Sequence, residues 1–137
     1  MRVYFDTSAV LPLILQEVHS ADIRHSWPDF TERWAWDWLV VEAEAALIRQ
    51  KADAVAWREW TRIAGSLTLI ELGQQDRDAL RGFNRGIGLR AADAAHLFLF
   101  DRLSRHLESL QLVTFDREMS QAAAETGMSL HPLSRLA

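Results

Sequence analysis

The 137-residue sequence predicts a layered α/β fold with a small, mostly parallel sheet. Short, apolar, β-rich segments alternate with helical patterns from one end of the chain to the other, which is the pattern of parallel βαβ units. The content of hydrophobic residues, 49%, and of charged residues, 25%, is typical of a globular protein. No linker, charge block or low-complexity segment divides the chain, so we expect one domain over residues 1–137.

The N-terminal half contains two predicted strands. Residues 2–5 are apolar and end at Asp6-Thr7-Ser8, residue types that favour helix N-caps. Trp34 and Trp36 alternate with period two, which predicts a strand over 33–36. The expected helices of this half cover residues 9–15 (with Pro12 tolerated only near the first turn), 20–26, 38–51 after a cap at Asp37, and 54–64 after a cap at Asp53.

The C-terminal half repeats the alternation. Two apolar runs predict strands over 67–72 and 112–115, and a last short strand is expected over 129–131. The helix beginning at Ala91 is apolar on nearly all sides, so we expect it to be central. The expected helices of this half cover residues 75–85, 91–107 and 118–126, the last closed by Gly127.

Several classes of protein are excluded or disfavoured. The chain has no cysteine, which excludes disulfides and thiolate chemistry, and no apolar run long enough to span a membrane. No phosphate-binding loop, dinucleotide fingerprint, HExxH or GxSxG motif occurs. Fifteen basic and nineteen acidic residues give a net charge of −4, which taken alone argues weakly against a nucleic-acid-binding protein.

Two aspartates directly follow predicted strands. Asp6 comes after the first strand and Asp116 after the strand over 112–115. Ligands of open parallel sheets bind beyond the carboxyl ends of the strands, so these side chains meet at one edge if the strands are neighbours. The alternative for each residue is that it caps the helix that follows.

Asp93 lies near the start of the most apolar helix and is surrounded by alanines. A buried carboxylate without a partner is costly, which favours a functional role over a helix-capping role. His96 shares the helix face of Asp93, and we expect a core histidine or a donor to a nearby acid rather than a metal ligand.

Glu42 and Glu44 lie on a predicted helix and point roughly 200° apart around its axis. One of them can face a site while the other meets solvent or Lys51. Helical geometry alone leaves the choice open.

Taken together, these segments resemble a PIN domain, and in particular the VapC-type toxins of bacterial toxin–antitoxin systems. The resemblance covers nearly the whole chain. It is carried by Tyr4-Phe5-Asp6-Thr7-Ser8-Ala9-Val10, by the segment from Glu42 through Leu47 to Arg49, by Leu89-Arg90-Ala91-Ala92-Asp93-Ala94-Ala95-His96-Leu97, and by Val113-Thr114-Phe115-Asp116 with Gly127.

The resemblance implies a three-layer α/β/α sandwich and an acidic quartet of Asp6, Glu42, Asp93 and Asp116. Glu42 is preferred to Glu44 because of its spacing to Leu47. Asp6, Asp93 and Asp116 are the implied metal ligands, and carboxylates with water suit Mg²⁺ or Mn²⁺, as one ion or two.

The implied activity is that of a metal-dependent endoribonuclease toxin that hydrolyses RNA phosphodiester bonds. The implied partners are RNA, a VapB-type antitoxin that blocks the acidic groove, and a second copy in a homodimer. We expect a cytoplasmic bacterial protein with no membrane contact. Without the four acids of the quartet, fifteen acidic residues balance fifteen basic ones, so the net charge no longer argues against RNA.

Two other functions compete with this interpretation. A catalytically inactive PIN-like module would bind RNA or protein without cleaving RNA, and a phospho-acceptor domain would also cluster aspartates at strand ends. The second would need a lysine late in the chain, whereas Lys51 is the only lysine.

Arg85, Arg90 and Arg117 are candidate phosphate contacts, and surface arginines without function are the alternative for each. Most of the six tryptophans are expected in the core, and an exposed one would suit a protein partner.

Overall fold

A four-stranded parallel sheet lies at the centre of the structure, a computed structural model that describes all 137 residues. Its strands are β1 (Arg2–Phe5), β2 (Glu32–Trp36), β3 (Thr68–Ile70) and β4 (Gln111–Val113), in the spatial order β3-β2-β1-β4. All three pairings are parallel. β1 is therefore an inner strand with hydrogen-bonded neighbours on both sides, and β4 forms one edge.

Seven α-helices connect and flank the strands. They are α1 (Thr7–Ile14), α2 (Ser20–Ser26), α3 (Trp38–Arg49), α4 (Ala54–Gly65), α5 (Arg77–Arg85), α6 (Ala91–Ser104) and α7 (Arg117–Glu125). Short 3₁₀ turns occur at Trp27–Asp29, Gln74–Asp76 and Pro132–Leu136. None of the helices is long and apolar enough to cross a membrane.

Side-chain alternation along β1 divides the interior into two apolar layers. Val3 and Phe5 pack with residues of α1, α2, α3 and α4, whereas Tyr4 packs on the other side with residues of α6 and α7. All three side chains are fully buried, as expected for an inner strand covered on both faces. The result is the predicted α/β/α sandwich with a parallel sheet.

Five of the six tryptophans pack in these two layers. Trp27, Trp57 and Trp60 lie in the layer of α1 to α4, and Trp34 and Trp36 lie against the layer of α6 and α7. The sixth, Trp38 at the start of α3, keeps 49% of its surface exposed. Trp27 and Trp60 are buried, whereas Trp34, Trp36 and Trp57 are partly buried against the core. The expectation that most tryptophans are core residues is therefore confirmed for two of the six.

The first helix differs from its prediction. It begins at Thr7 rather than at residue 9, because Asp6 has extended backbone angles and the Ala9 N–H already bonds to the Asp6 carbonyl at 3.2 Å. Pro12 therefore lies in the interior of the eight-residue helix and not in its first turn. The prediction that Pro12 is tolerated only near the first turn is wrong.

The predicted cap at Asp37 is also wrong. Asp37 has helical backbone angles and its side chain caps nothing. Its N–H bonds instead to the Ile70 carbonyl at 2.9 Å, which extends the pairing of β2 with β3 into the start of the helix. By contrast, the Asp53 carboxylate accepts a hydrogen bond from the Ala56 N–H at 2.9 Å, so the predicted cap of α4 is confirmed.

The expected last strand over 129–131 is reduced to a single parallel bridge between Leu112 and Leu130. The chain pairs with β4 only there, because Pro132 has no N–H and begins a 3₁₀ turn. The central helix α6 ends at Ser104 rather than at 107.

Replacement of the α4 cap provides a test of this fold. Asp53→Ala should lower the free energy of unfolding by about 1 kcal/mol, because the Ala56 N–H loses its acceptor. Asp37→Ala is the matched control, since its side chain caps no helix, and should change stability by less than about 0.5 kcal/mol. Urea denaturation of the three proteins measures both differences, and equal losses would contradict the assignment of caps.

Candidate active site

The carboxyl ends of β1 and β4 place two of the predicted acids at the same edge of the sheet. β1 and β4 are neighbouring parallel strands, with Phe5 paired to Val113. Asp6 directly follows β1, and Asp116 follows β4 after Thr114 and Phe115. The strands are neighbours, as the prediction of a shared edge required.

Asp6 is buried and held by a neighbouring hydroxyl. The Ser8 hydroxyl lies 2.8 and 3.0 Å from the two oxygens of its carboxylate. The same Ser8 oxygen accepts the Phe115 N–H at 2.9 Å and lies 3.3 Å from the Thr114 hydroxyl. Ser8 thus joins the segment after β1 to the segment after β4 and fixes the carboxylate of Asp6 between them.

The capping alternative holds for one of the two strand-end acids. Asp116 Oδ1 accepts the Met119 N–H at 2.8 Å and so caps α7. Asp6 is in the N-cap position of α1, but its side chain makes no capping hydrogen bond and turns to Ser8 instead. A helix-capping role therefore accounts for Asp116 but not for Asp6.

Asp93 is the third residue of α6 and is half-buried. The N-cap position belongs to Arg90, and no side chain caps this helix, so Asp93 does not serve as the cap. Burial raises the pKa of the Asp93 carboxyl, and the charges of Asp116 and Glu42 raise it further. The charges of nearby His96 and Arg90 lower the pKa of Asp93, but by less than the other effects raise it.

Of the two glutamates of α3, Glu42 is the one that lies at this edge of the sheet. Glu42 Oε1 lies 3.0 Å from the Thr7 hydroxyl and 2.7 Å from His96 Nε2. Glu44 lies on another face of the helix, where its Oε2 accepts the Trp60 indole N–H at 3.1 Å. Glu42 is therefore the glutamate whose charge acts on Asp93, and its role as the second acid of the quartet stays a prediction.

We call Asp6, Glu42, Asp93 and Asp116 the acidic pocket, because Asp116 raises the pKa of Asp6 and of Asp93 and Glu42 raises that of Asp93. None of the four side chains lines a closed cavity. Burial raises the pKa of Asp6 to about 6, and the charge of Asp116 adds to the rise, against the effects of His96 and the hydroxyls of Ser8 and Thr114. The pKa of Glu42 is lowered despite its burial, because His96 and Thr7 donate hydrogen bonds to it.

The donor set of the acidic pocket fits a hard divalent cation. Its members are carboxylates that destabilise each other's charge, and a cation relieves such repulsion while taking the oxygen ligands that Mg²⁺ prefers. No three His, Asp or Glu side chains of the chain are already grouped so as to hold a metal ion. Cation binding by Asp6, Asp93 and Asp116 therefore stays a prediction.

Sequence reasoning missed one residue that supports this edge. The buried Ser134 hydroxyl donates to the Leu112 carbonyl at 2.8 Å and accepts the Thr114 N–H at 3.1 Å. Ser134 belongs to the C-terminal 3₁₀ turn and accepts the Thr114 N–H just beyond the bridge between Leu112 and Leu130. No motif marks it, because its role depends on a contact between segments twenty residues apart in the chain.

Comparison with known proteins gives a structural relative. The fold matches that of VapC20 from Mycobacterium tuberculosis, a toxin that cleaves the sarcin–ricin loop, with a TM-score of 0.68. The match covers 88% of this chain and 94% of VapC20, at 14% sequence identity. No protein-family model matches the sequence, and no curated protein does.

At 14% identity, this likeness concerns the fold. The chain has the PIN-like α/β/α fold of a VapC toxin, as the resemblance of its motifs implied.

The burial of Asp6 predicts how the stability of the protein depends on pH. Its pKa in the folded chain, about 6, exceeds the ordinary value of 3.8, so Asp6 contributes stability to the metal-free protein where it is protonated. That stability is complete below about pH 4 and is lost as the pH rises through about 6. Asp6→Asn removes the charge and keeps an acceptor for Ser8, so it should stabilise the protein at pH 7.5 by up to about 3 kcal/mol.

Thermal unfolding in EDTA at pH 4 and pH 7.5 measures this effect. The advantage of Asp6→Asn should vanish at pH 4, and Asn in place of the exposed Asp22 is the control that should show none at either pH. A destabilised Asp6→Asn at pH 7.5 would mean that the charge of Asp6 is compensated within the fold.

Proposed function

We propose that the protein is a Mg²⁺-dependent endoribonuclease toxin of the bacterial cytoplasm, with Mn²⁺ able to replace Mg²⁺. It hydrolyses RNA phosphodiester bonds until a cognate antitoxin inhibits it. The observation that carries the proposal is the acidic pocket at the carboxyl edge of β1 and β4 in a PIN-like fold. VapC20, which has a similar fold, is a toxin that cleaves the sarcin–ricin loop.

In this proposal Asp6, Asp93 and Asp116 hold the cation. Bound Mg²⁺ would stabilise negative charge on the scissile phosphate and make water a better nucleophile. Ser8 orients the Asp6 carboxylate. Glu42, to which His96 and Thr7 donate hydrogen bonds, would contact the cation through a bound water and orient that water for attack.

Substrate binding needs positive charge beside this acidic pocket. Arg90 is exposed at the start of α6 and lies near enough to Asp93 to lower its pKa. Arg85 and Arg117 are also exposed and form no ion pair. These three guanidinium groups are the proposed contacts to RNA phosphates, which they suit because arginine binds phosphate bidentately.

An apolar stripe on α3 supports the proposal of an antitoxin. Trp38, Val41, Ala45 and Ile48 are exposed and follow one another at spacings of three and four residues. That spacing places them on one helix face, and an exposed apolar face of this kind suits a helical protein partner. The same helix carries Glu42, so a partner on the stripe lies beside the acidic pocket. The homodimer that the resemblance implies stays a prediction.

One observation favours the alternative, a PIN-like module that binds RNA or protein without catalysis. The Asp116 carboxylate already caps α7. This module would bind RNA in the absence of divalent cations and leave it intact, which the cleavage experiment below distinguishes.

RNA cleavage tests the proposed activity directly. The wild-type chain should cut single-stranded RNA with Mg²⁺ and stop in EDTA. Asp93→Asn should slow cleavage by roughly 100-fold or more, the scale on which loss of one group that stabilises developing charge slows an enzyme. Asp101→Asn is the matched control on the same helix, because Asp101 pairs with the exposed Arg105 and should leave the rate unchanged. Intact RNA with the wild-type chain, or equal rates for both variants, would contradict the proposal.

The apolar stripe gives a second prediction, measured as bacterial growth. Co-expressed antitoxin should prevent the growth arrest caused by the wild-type chain. It should fail against Ile48→Glu, because that variant keeps the acidic pocket but places a charge on the stripe. Ile48→Leu, which keeps the stripe apolar, is the control and should remain inhibited. If Ile48→Glu is still inhibited, the antitoxin binds elsewhere.

A further inference from the structure

His96 is a buried polar side chain that the acidic quartet does not include. It keeps 1% of its surface exposed and lies one helical turn after Asp93 on α6. The Trp36 ring packs edge-on against its imidazole, with centroids 5.1 Å apart. Burial and this contact hold the ring in one orientation, so its hydrogen bonds are made from a fixed position.

The polar partner of this ring is Glu42. His96 Nε2 lies 2.7 Å from Glu42 Oε1, and His96 Nδ1 is buried without a partner. An ionised carboxylate only accepts hydrogen bonds, so Nε2 carries the proton and donates it.

Thr7 donates to the same oxygen. Its hydroxyl lies 3.0 Å from Glu42 Oε1 and approaches from α1, whereas His96 approaches from α6. Glu42 Oε2 accepts no hydrogen bond from the protein. The carboxylate is therefore fixed through one oxygen and free at the other.

We propose that His96 is a positioning residue: together with Thr7 it fixes Oε1 of Glu42, so that Oε2 is the oxygen Glu42 presents to the acidic pocket. The inference deepens the proposed function and rests on it. A half-buried glutamate without these donors has several rotamers, and fixing it removes that freedom before cation and RNA bind. His96 and Asp93 lie on the same helix, α6, so the hydrogen bond from His96 also fixes Glu42 relative to Asp93.

A double-mutant cycle on Mn²⁺ binding tests this inference. The variants are His96→Leu, Glu42→Gln and their combination, and the probe is Mn²⁺ alone, with free ion followed by electron paramagnetic resonance. His96→Leu should weaken Mn²⁺ binding by about 10-fold, the usual loss when a group that orients a ligating side chain is removed. In the Glu42→Gln background, His96→Leu should cause no further loss, because its effect passes through the carboxylate.

Two further variants separate positioning from folding. Thr7→Val removes the second donor at a half-buried position and should also weaken Mn²⁺ binding only where Glu42 is present. His96→Gln keeps an N–H donor and should restore most of the affinity lost in His96→Leu. Additive losses in both cycles, or unchanged Mn²⁺ affinity in Thr7→Val and His96→Leu, would overturn the inference.

RNA cleavage distinguishes this inference from the proposed function. If the wild-type chain cleaves RNA, His96→Leu should lower kcat and leave KM unchanged, because buried His96 contacts Glu42 and not the substrate. A wild-type chain that binds Mn²⁺ but cuts no RNA would contradict the nuclease, and the Mn²⁺ cycle would still decide the role of His96. A wild-type chain that binds no Mn²⁺ would overturn both.

Discussion

Parallel pairing of β1 with β4 is the constraint on which the candidate site depends. Parallel strands end at the same edge, so the residues that follow Phe5 and Val113 must meet. Ser8 completes this arrangement, because its one oxygen contacts Asp6 and the N–H of Phe115. A pairing that reversed β4 would carry Asp116 to the opposite edge of the sheet, away from Asp6.

The acidic pocket concentrates electrostatic repulsion between carboxylates. Asp6 and Asp93 both have raised pKa values because burial and neighbouring acids disfavour their charges. Two apolar layers on opposite faces of the sheet offset that cost. Glu42 differs from the other acids, since His96 and Thr7 favour its ionised form. Unequal environments of this kind give chemically similar carboxylates different roles.

Much of the fold follows from local patterns in the sequence. The apolar runs before Asp6 and Asp116 and the alternation of Trp34 and Trp36 predict strands that the structure contains. Local patterns fail where tertiary contacts decide. Asp37 resembles a helix cap, but its backbone is taken by strand pairing. The two strand-end acids also look alike in sequence, and only the three-dimensional contacts show that Asp116 caps a helix and Asp6 does not.

Asp6, Asp93 and Asp116 are proposed to hold a cation at the carboxyl edge of the sheet. Anomalous diffraction from crystals soaked in Mn²⁺ tests it most directly, because the ion is located without reference to activity. We expect an anomalous peak with oxygens of these three carboxylates at the ordinary metal–ligand distance of about 2.1 Å. A peak elsewhere, or the same peak in crystals of a variant with all three aspartates replaced by asparagine, would contradict it.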